Sequence, residues 1–175
     1  SVGIFGVSAQ LASSITIIGS GIAMGFAPRL YKSLSSNMNA YKNIIKIRNA
    51  AMFSLFILSV IVCLTIYYLS DQILGKQFPF DFTVFLTLIT AYLLFSFYHF
   101  FSGYFYYFKK TKTLSAVTMS IAILNLVFSL FFIPRLGILG ASIGTLMSYI
   151  FGLLIAIIIS KVIMKEHIEN LSNEN

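Results

Sequence analysis

Five stretches of this chain hold no Asp, Glu, Lys or Arg: residues 1–28, 49–70, 82–108, 113–134 and 136–160. The shortest is 22 residues and the longest 28. A helix rises about 1.5 Å per residue, so about 20 residues cross a hydrocarbon core roughly 30 Å thick. Each stretch can cross once, and none is long enough to cross twice as helices. A transmembrane barrel would instead show segments of about ten residues alternating in hydrophobicity. The run Leu153-Leu154-Ile155-Ala156-Ile157-Ile158-Ile159 does not alternate. The expectation is an all-α, polytopic integral membrane helix bundle. Its five transmembrane helices are predicted at about 3–28, 50–70, 83–108, 114–133 and 138–161, with a tail over 162–175.

Composition removes the alternatives. Hydrophobic residues make up 58% of the 175 and charged residues only 10%, whereas soluble domains are about 25% charged. A mean hydropathy of +0.91 points the same way. Disorder is excluded because it needs much charge and few apolar residues. The first stretch is the most polar, with Ser8, Gln10, Ser13, Ser14, Thr16 and Ser20. No Lys or Arg precedes Arg29, so it lacks the basic start of a signal peptide. The chain opens on Ser rather than Met and reads as a piece of a longer product.

The basic residues give an orientation. Arg29, Lys32, Lys42, Lys46 and Arg48 lie between the first two helices, Lys109, Lys110 and Lys112 between the third and fourth, and Lys161 and Lys165 after the fifth. The other two connections hold only Lys76 and Arg135, a division of 10 against 2. By the positive-inside rule the 10 face the cytoplasm, which places Ser1 outside and the C-terminus inside. The formal net charge of +7 then reads as topology, and nucleic acid is not an expected partner. The segment from Arg29 to Arg48 is also amphipathic, with Leu30, Leu34, Met38, Tyr41 and Ile45 at helical spacing. It reads either as a helix lying on the anionic inner leaflet or as an extension of the second span.

Small and polar residues in membrane helices mark contact with protein or water rather than lipid. On the first helix Gly3, Gly6, Gln10, Ser13, Ser14, Gly21 and Gly25 share one side at about 100° per residue. On the fourth, Thr118, Ala122, Asn125 and Ser129 form a single stripe, and the fifth carries Gly140, Gly144, Ser148, Gly152, Ala156 and Ser160 at four-residue spacing. The ridge on the fifth helix, Gly140 to Gly152 above all, suits close helix packing. The stripes on helices one and four serve either packing or a hydrophilic cavity, in which Gln10, Ser13, Ser14, Asn125 and Ser129 would meet a substrate.

The third helix is aromatic: ten of the fourteen residues from Phe95 to Phe108 are Phe or Tyr. Its last turn suits an interfacial aromatic belt. Deeper lies His99, with Ser96 and Gly103 on its face. Ionisable groups inside a membrane are functional candidates, so His99 reads either as a hydrogen-bonded packing residue or as a proton-linked or substrate-contacting one. Other chemistry is sparse. Cys63 is the single cysteine, His99 and His167 stand on different segments, and Asp71 and Asp81 flank the outer loop as solvated carboxylates. No metal site, phosphate loop, catalytic arrangement or cofactor is expected, and the chain reads as non-enzymatic. Asn170-Leu171-Ser172 matches a glycosylation acceptor on the side where none is used.

Two stretches carry a family resemblance. Residues 133–149, beginning Ile133-Pro134-Arg135-Leu136-Gly137-Ile138-Leu139-Gly140-Ala141, resemble the "IP-x-x-G-x-x-G-A" turn between the last two helices of polysaccharide exporters. Asn125 matches the Asn usual in their penultimate helix, preceded by Lys110-Thr111-Lys112. Val2-Gly3-Ile4-Phe5, Ala9 and Pro28-Arg29-Leu30 are similar to their "VGxY…A…P" stretch. The family is that of the O-antigen and capsule repeat-unit flippases, in the multidrug/oligosaccharidyl-lipid/polysaccharide exporter superfamily. Residues 50–108 add little to it beyond hydropathy.

The resemblance implies a two-lobe exporter fold in the bacterial cytoplasmic (inner) membrane, with residues 1–175 as its C-terminal transmembrane lobe and the N-terminal lobe of the same protein as partner. It implies lipid-linked oligosaccharide as cargo, moved by alternating access, with membrane lipids around it. The helix matching the first one here runs from outside to inside, as the charge count gives independently. Arg29, Lys109, Lys110 and Lys112 would form a cytoplasmic rim, either attracting a diphosphate or serving as topology signals. The competing readings are a multidrug/ion antiporter or lipid II flippase of the same superfamily, and a non-transporting membrane assembly subunit. The orientation is checked by reporter fusions: one after Phe80 is expected to report outside and one after Lys110 inside, and the reverse pattern refutes it.

Overall fold

The computed structural model describes residues 2–34, 38–73 and 80–173. They form five helices: α1 (Val2–Leu34), α2 (Met38–Ile73), α3 (Phe82–Tyr107), α4 (Thr111–Leu136) and α5 (Ile138–Asn173). All five are long and apolar enough to cross a membrane, and no strand occurs among the described residues. Lys76 lies outside those residues. The helices run past the predicted spans into the basic segments, α2 beginning at Met38 and α5 continuing through the expected tail. Lys and Arg are good helix formers whose aliphatic stems cover apolar surface while the charge reaches water. Among the described residues of the Arg29 to Arg48 segment, 29–34 end α1 and 38–48 begin α2, and Leu30 and Ile44 are buried in the bundle rather than lying on a surface helix.

α3 is the central element. Over half of its most apolar stretch is buried, against about a tenth for α4. Phe85, Leu88, Phe100, Tyr104 and Phe105 are each almost completely enclosed. α2 and α4 instead turn side chains such as Phe53, Leu64, Met119 and Leu130 outward, an apolar rind suited to lipid.

Lipid is as apolar as leucine, so helices in it associate through close packing and polar contacts rather than through the hydrophobic effect. Two seams meet that requirement. Where α1 crosses α3, a Cβ on Gly19 would lie 2.6 Å from Ser96 Cβ. Ser96 Oγ donates to the carbonyls of Tyr92 (2.9 Å) and, across the crossing, Ile15 (3.3 Å), while Thr16 Oγ1 donates to Tyr92 O at 3.3 Å. Along the α4–α5 seam, a Cβ on Gly144 would lie 2.9 Å from Ser129 N, and Cβ atoms on Gly140 and Gly152 would collide with Phe132 O and the Ile121 side chain.

The stripe on α1 behaves differently. The buried side of α1 carries Ser8, Ala12, Ile15, Ala23, Phe26 and Leu30, which at helical periodicity is the side opposite the small-residue stripe. Nothing lies within 4 Å of a Cβ placed on Gly3, Gly6, Gly21 or Gly25. The stripe faces away from this bundle.

The turns are closed by backbone chemistry. Asp81, expected to be a solvated carboxylate, is the N-cap of α3, its Oδ1 accepting from Thr83 N (3.0 Å) and Val84 N (3.2 Å). Such a cap satisfies amides that a helix start leaves unpaired. At the other end of α3, Lys109 N donates to Tyr106 O (3.2 Å) and Lys110 N to Phe105 O (2.9 Å), with Lys109 at φ 54°; this is a Schellman ending with lysine where glycine is usual. Between α4 and α5 a single residue, Gly137 at φ 58° and ψ −132°, makes the turn, a conformation that disfavours a side chain.

The two glycine environments predict opposite outcomes. Gly144→Val is expected to lower stability by about 1–3 kcal/mol through overpacking, and Gly21→Val to leave it within about 0.5 kcal/mol. Denaturant titration in micelles measures both, and equal effects would contradict the assigned seams.

Candidate functional site

Thr118, Ala122, Asn125 and Ser129 follow one another on α4 at steps of four, three and four, so they share one edge of the helix. That edge opens into a cavity of about 490 Å³ between α4, Phe95 of α3 and Tyr149 of α5. The rings of Phe95 and Tyr149, both part of the lining, stack on each other with centroids 4.6 Å apart and planes 18° apart. Its lining residues include no Asp, Glu, Lys, Arg or His.

The polar atoms on that edge are already ordered. Asn125 Nδ2 donates to Thr145 Oγ1 (3.2 Å) and Ser148 Oγ (3.3 Å) on α5. Those hydroxyls send their own protons to the carbonyls of Ala141 (3.0 Å) and Thr145 (2.8 Å), which leaves them free to accept. Ser129 Oγ donates to Asn125 Oδ1 at 3.4 Å. Thr118 Oγ1 donates to Leu114 O and meets the Tyr98 hydroxyl, each at 3.0 Å. With their protons committed internally, Thr118 and Ser129 offer lone pairs to anything in the cavity. Asn125 is thus both a staple between α4 and α5 and part of a cavity wall.

The residues predicted from sequence divide. Asn125 and Ser129 line this cavity together with Thr118 and Ala122. His99 lines a separate, neighbouring cavity between α1 and α3. Gln10, Ser13 and Ser14 line neither: Gln10 is exposed, and Ser13 and Ser14 donate to the carbonyls of Gln10 and Leu11. Gly140, Gly144 and Gly152 face α4, and Ser148 is fully buried beside them. Arg29, Lys109 and Lys112 are exposed. Lys110 is tied to Glu166 of α5 at 2.9 Å with both side chains solvent-accessible, a contact worth at most about 1 kcal/mol.

Sequence reasoning passed over Tyr149, Thr145 and Tyr98. Tyr149 and Thr145 flank the small-residue ridge, and a polar residue beside such a ridge was the available signal. Arg48 was counted only as a topology charge. Its guanidinium lies 4.7 Å from the Phe101 ring centroid and donates to Tyr104 Oη at 3.2 Å, so it also ties α2 to α3.

No protein-family model, no curated protein and no solved structure matches this chain.

Asn125→Leu removes both amide bonds to α5. Interhelical hydrogen bonds in membranes average about 0.6 kcal/mol, so a loss of roughly 1 kcal/mol in unfolding free energy is expected. A loss beyond about 4 kcal/mol would mean that the amide carries far more of the fold than these bonds.

Proposed function

We propose that this chain is the C-terminal lobe of a flippase for lipid-linked oligosaccharide units in surface polysaccharide synthesis. One observation carries the reading: α4 presents Thr118, Asn125 and Ser129 along one edge to a cavity also lined by Phe95 and Tyr149. A glycan has many hydroxyls, and burying each without a partner costs several kcal/mol. A crossing route must therefore supply acceptors within the hydrocarbon zone. Ser129, Thr118 and Asn125 Oδ1 are acceptors, and Phe95 and Tyr149 add an apolar part to the lining that suits the C–H groups of a sugar.

Alternating access follows from the two-lobe arrangement that the sequence resemblance implies. The N-terminal lobe of the same protein closes the route on the side opposite α3, and the lipid tail of the cargo stays in the bilayer while the lobes rock. The basic end of the bundle faces the cytoplasm of a bacterial inner membrane. Arg29, Lys109 and Lys112 stand at the rim, where a lipid diphosphate would arrive. Lys110 is partly neutralised by Glu166, so it contributes less. A multidrug antiporter is the second reading, favoured by His99 inside α3. The uncharged lining of the larger cavity supports a neutral, hydroxyl-rich cargo instead.

Translocation in everted membrane vesicles provides the test, with a fluorescent lipid-linked oligosaccharide and the full gene product. The pair Thr118→Val with Ser129→Ala keeps the volume of the lining nearly constant and is expected to slow transfer about tenfold or more, as loss of one to two hydrogen bonds implies. The lipid-facing Ile123→Val is expected to leave it unchanged. Transfer that persists without the protein, or that ignores the paired substitution, refutes the flippase reading.

A further inference from the structure

The second cavity measures about 210 Å³ and lies between α1 and α3, with Ser20, Met24, Tyr31, His99, Ser102 and Tyr106 among its lining residues. On α3, Phe95, His99, Ser102 and Tyr106 succeed one another at steps of four, three and four, so both cavities open on the same side of that helix. They adjoin at the Phe95 and His99 rings, whose centroids are 4.8 Å apart.

The smaller cavity offers acceptors and donors together, the donors including the Tyr31 and Tyr106 hydroxyls. Ser20 Oγ donates to Ile17 O at 2.9 Å and Ser102 Oγ to His99 O at 2.7 Å, so both present lone pairs. Among the described residues no hydrogen bond reaches either ring nitrogen of His99. A neutral imidazole there supplies one acceptor and one donor.

A ligand for this cavity is therefore matched when it can both donate and accept hydrogen bonds. A cation would find no carboxylate among the lining residues and an anion no Lys or Arg. A neutral polyol satisfies the set. The volume equals about seven waters at roughly 30 Å³ each, the bulk of one sugar ring and less than half of the larger cavity. Resting on the flippase reading above, we propose that the His99 cavity is a recognition site for a single sugar ring of the cargo. Its hydroxyls donate to Ser20 and Ser102, the Tyr31 and Tyr106 hydroxyls and His99 complete the set, and the larger cavity holds the neighbouring part of the glycan.

The test uses the full chain, labelled with ¹⁵N-histidine, in phosphatidylcholine nanodiscs. The His99 ring signals are assigned by their loss in His99→Gln. Glucose, galactose, mannose and N-acetylglucosamine are titrated separately, with methylammonium and inorganic phosphate as charged probes. At least one sugar is expected to shift the His99 signals saturably and leave those of His167 in place. Ser102→Ala and Ser20→Ala are each expected to weaken that binding about fivefold. No saturable shift with any sugar overturns the assignment, and so does a response to methylammonium or phosphate alone. Failure here with vesicle transfer still sensitive to Thr118→Val and Ser129→Ala removes the sugar-ring site and leaves the flippase reading standing. Sugar binding here without transfer dependence does the reverse.

Discussion

Helices surrounded by hydrocarbon gain nothing from hiding apolar side chains, because lipid already solvates them. Everything that makes five apolar helices into one bundle must come from surface fit and from polar atoms that find each other. In this chain that duty falls on a handful of small residues. Gly19 lets α1 come down onto Ser96, and Ser96 converts the contact into hydrogen bonds to carbonyls on both helices. Gly140, Gly144 and Gly152 do the same for α5 against α4, with Asn125 as the bridging amide. The large aromatic residues of α3 then fill the volume these crossings define.

The polar atoms of the candidate site are the same atoms that hold the bundle. Asn125 cannot be a ligand group free of structural duty, since its amide is shared with Thr145 and Ser148. This double use has a physical logic. An amide held by two internal bonds has little freedom left to lose when a ligand arrives, so its remaining oxygen lone pair is presented at low entropic cost. The hydroxyls around it work alike: Thr145 and Ser148 send their protons to backbone carbonyls and Ser129 to Asn125 Oδ1, so all three become fixed acceptors.

The membrane class and the number of helices were legible because charge is so costly in hydrocarbon that 17 charged residues mark nearly every boundary. Helix ends were less legible. Spans were bounded by charge, whereas hydrogen bonding carries helices on through Lys and Arg, as at Arg29 and Lys161. The stripe on α4 could be read because Thr118, Asn125 and Ser129 stand out against Ile and Leu. The similar stripe on α1 could not be assigned a direction: periodicity tells which residues share a side, not what that side meets. Tyr149 was hidden for a related reason, since its role comes from Phe95, 54 positions earlier in the chain. Asp81 was hidden because a capping carboxylate and a solvated one look alike without the backbone amides in view.

Gly137 alone joins α4 to α5, and the seam beside it brings the two backbones almost into contact. Two helices so fastened have no slack between them; they travel as one stiff lever, with Asn125 as a rivet partway along. The room between α3 and α4 can then change only if that lever shifts as a whole against α3. The flat overlap of Tyr149 on Phe95 and the hydrogen bond between Tyr98 and Thr118 both cross that boundary, so such a shift slides one ring over the other and must break or exchange that bond. The size of the larger cavity is thereby tied to the position of the α4–α5 pair against α3.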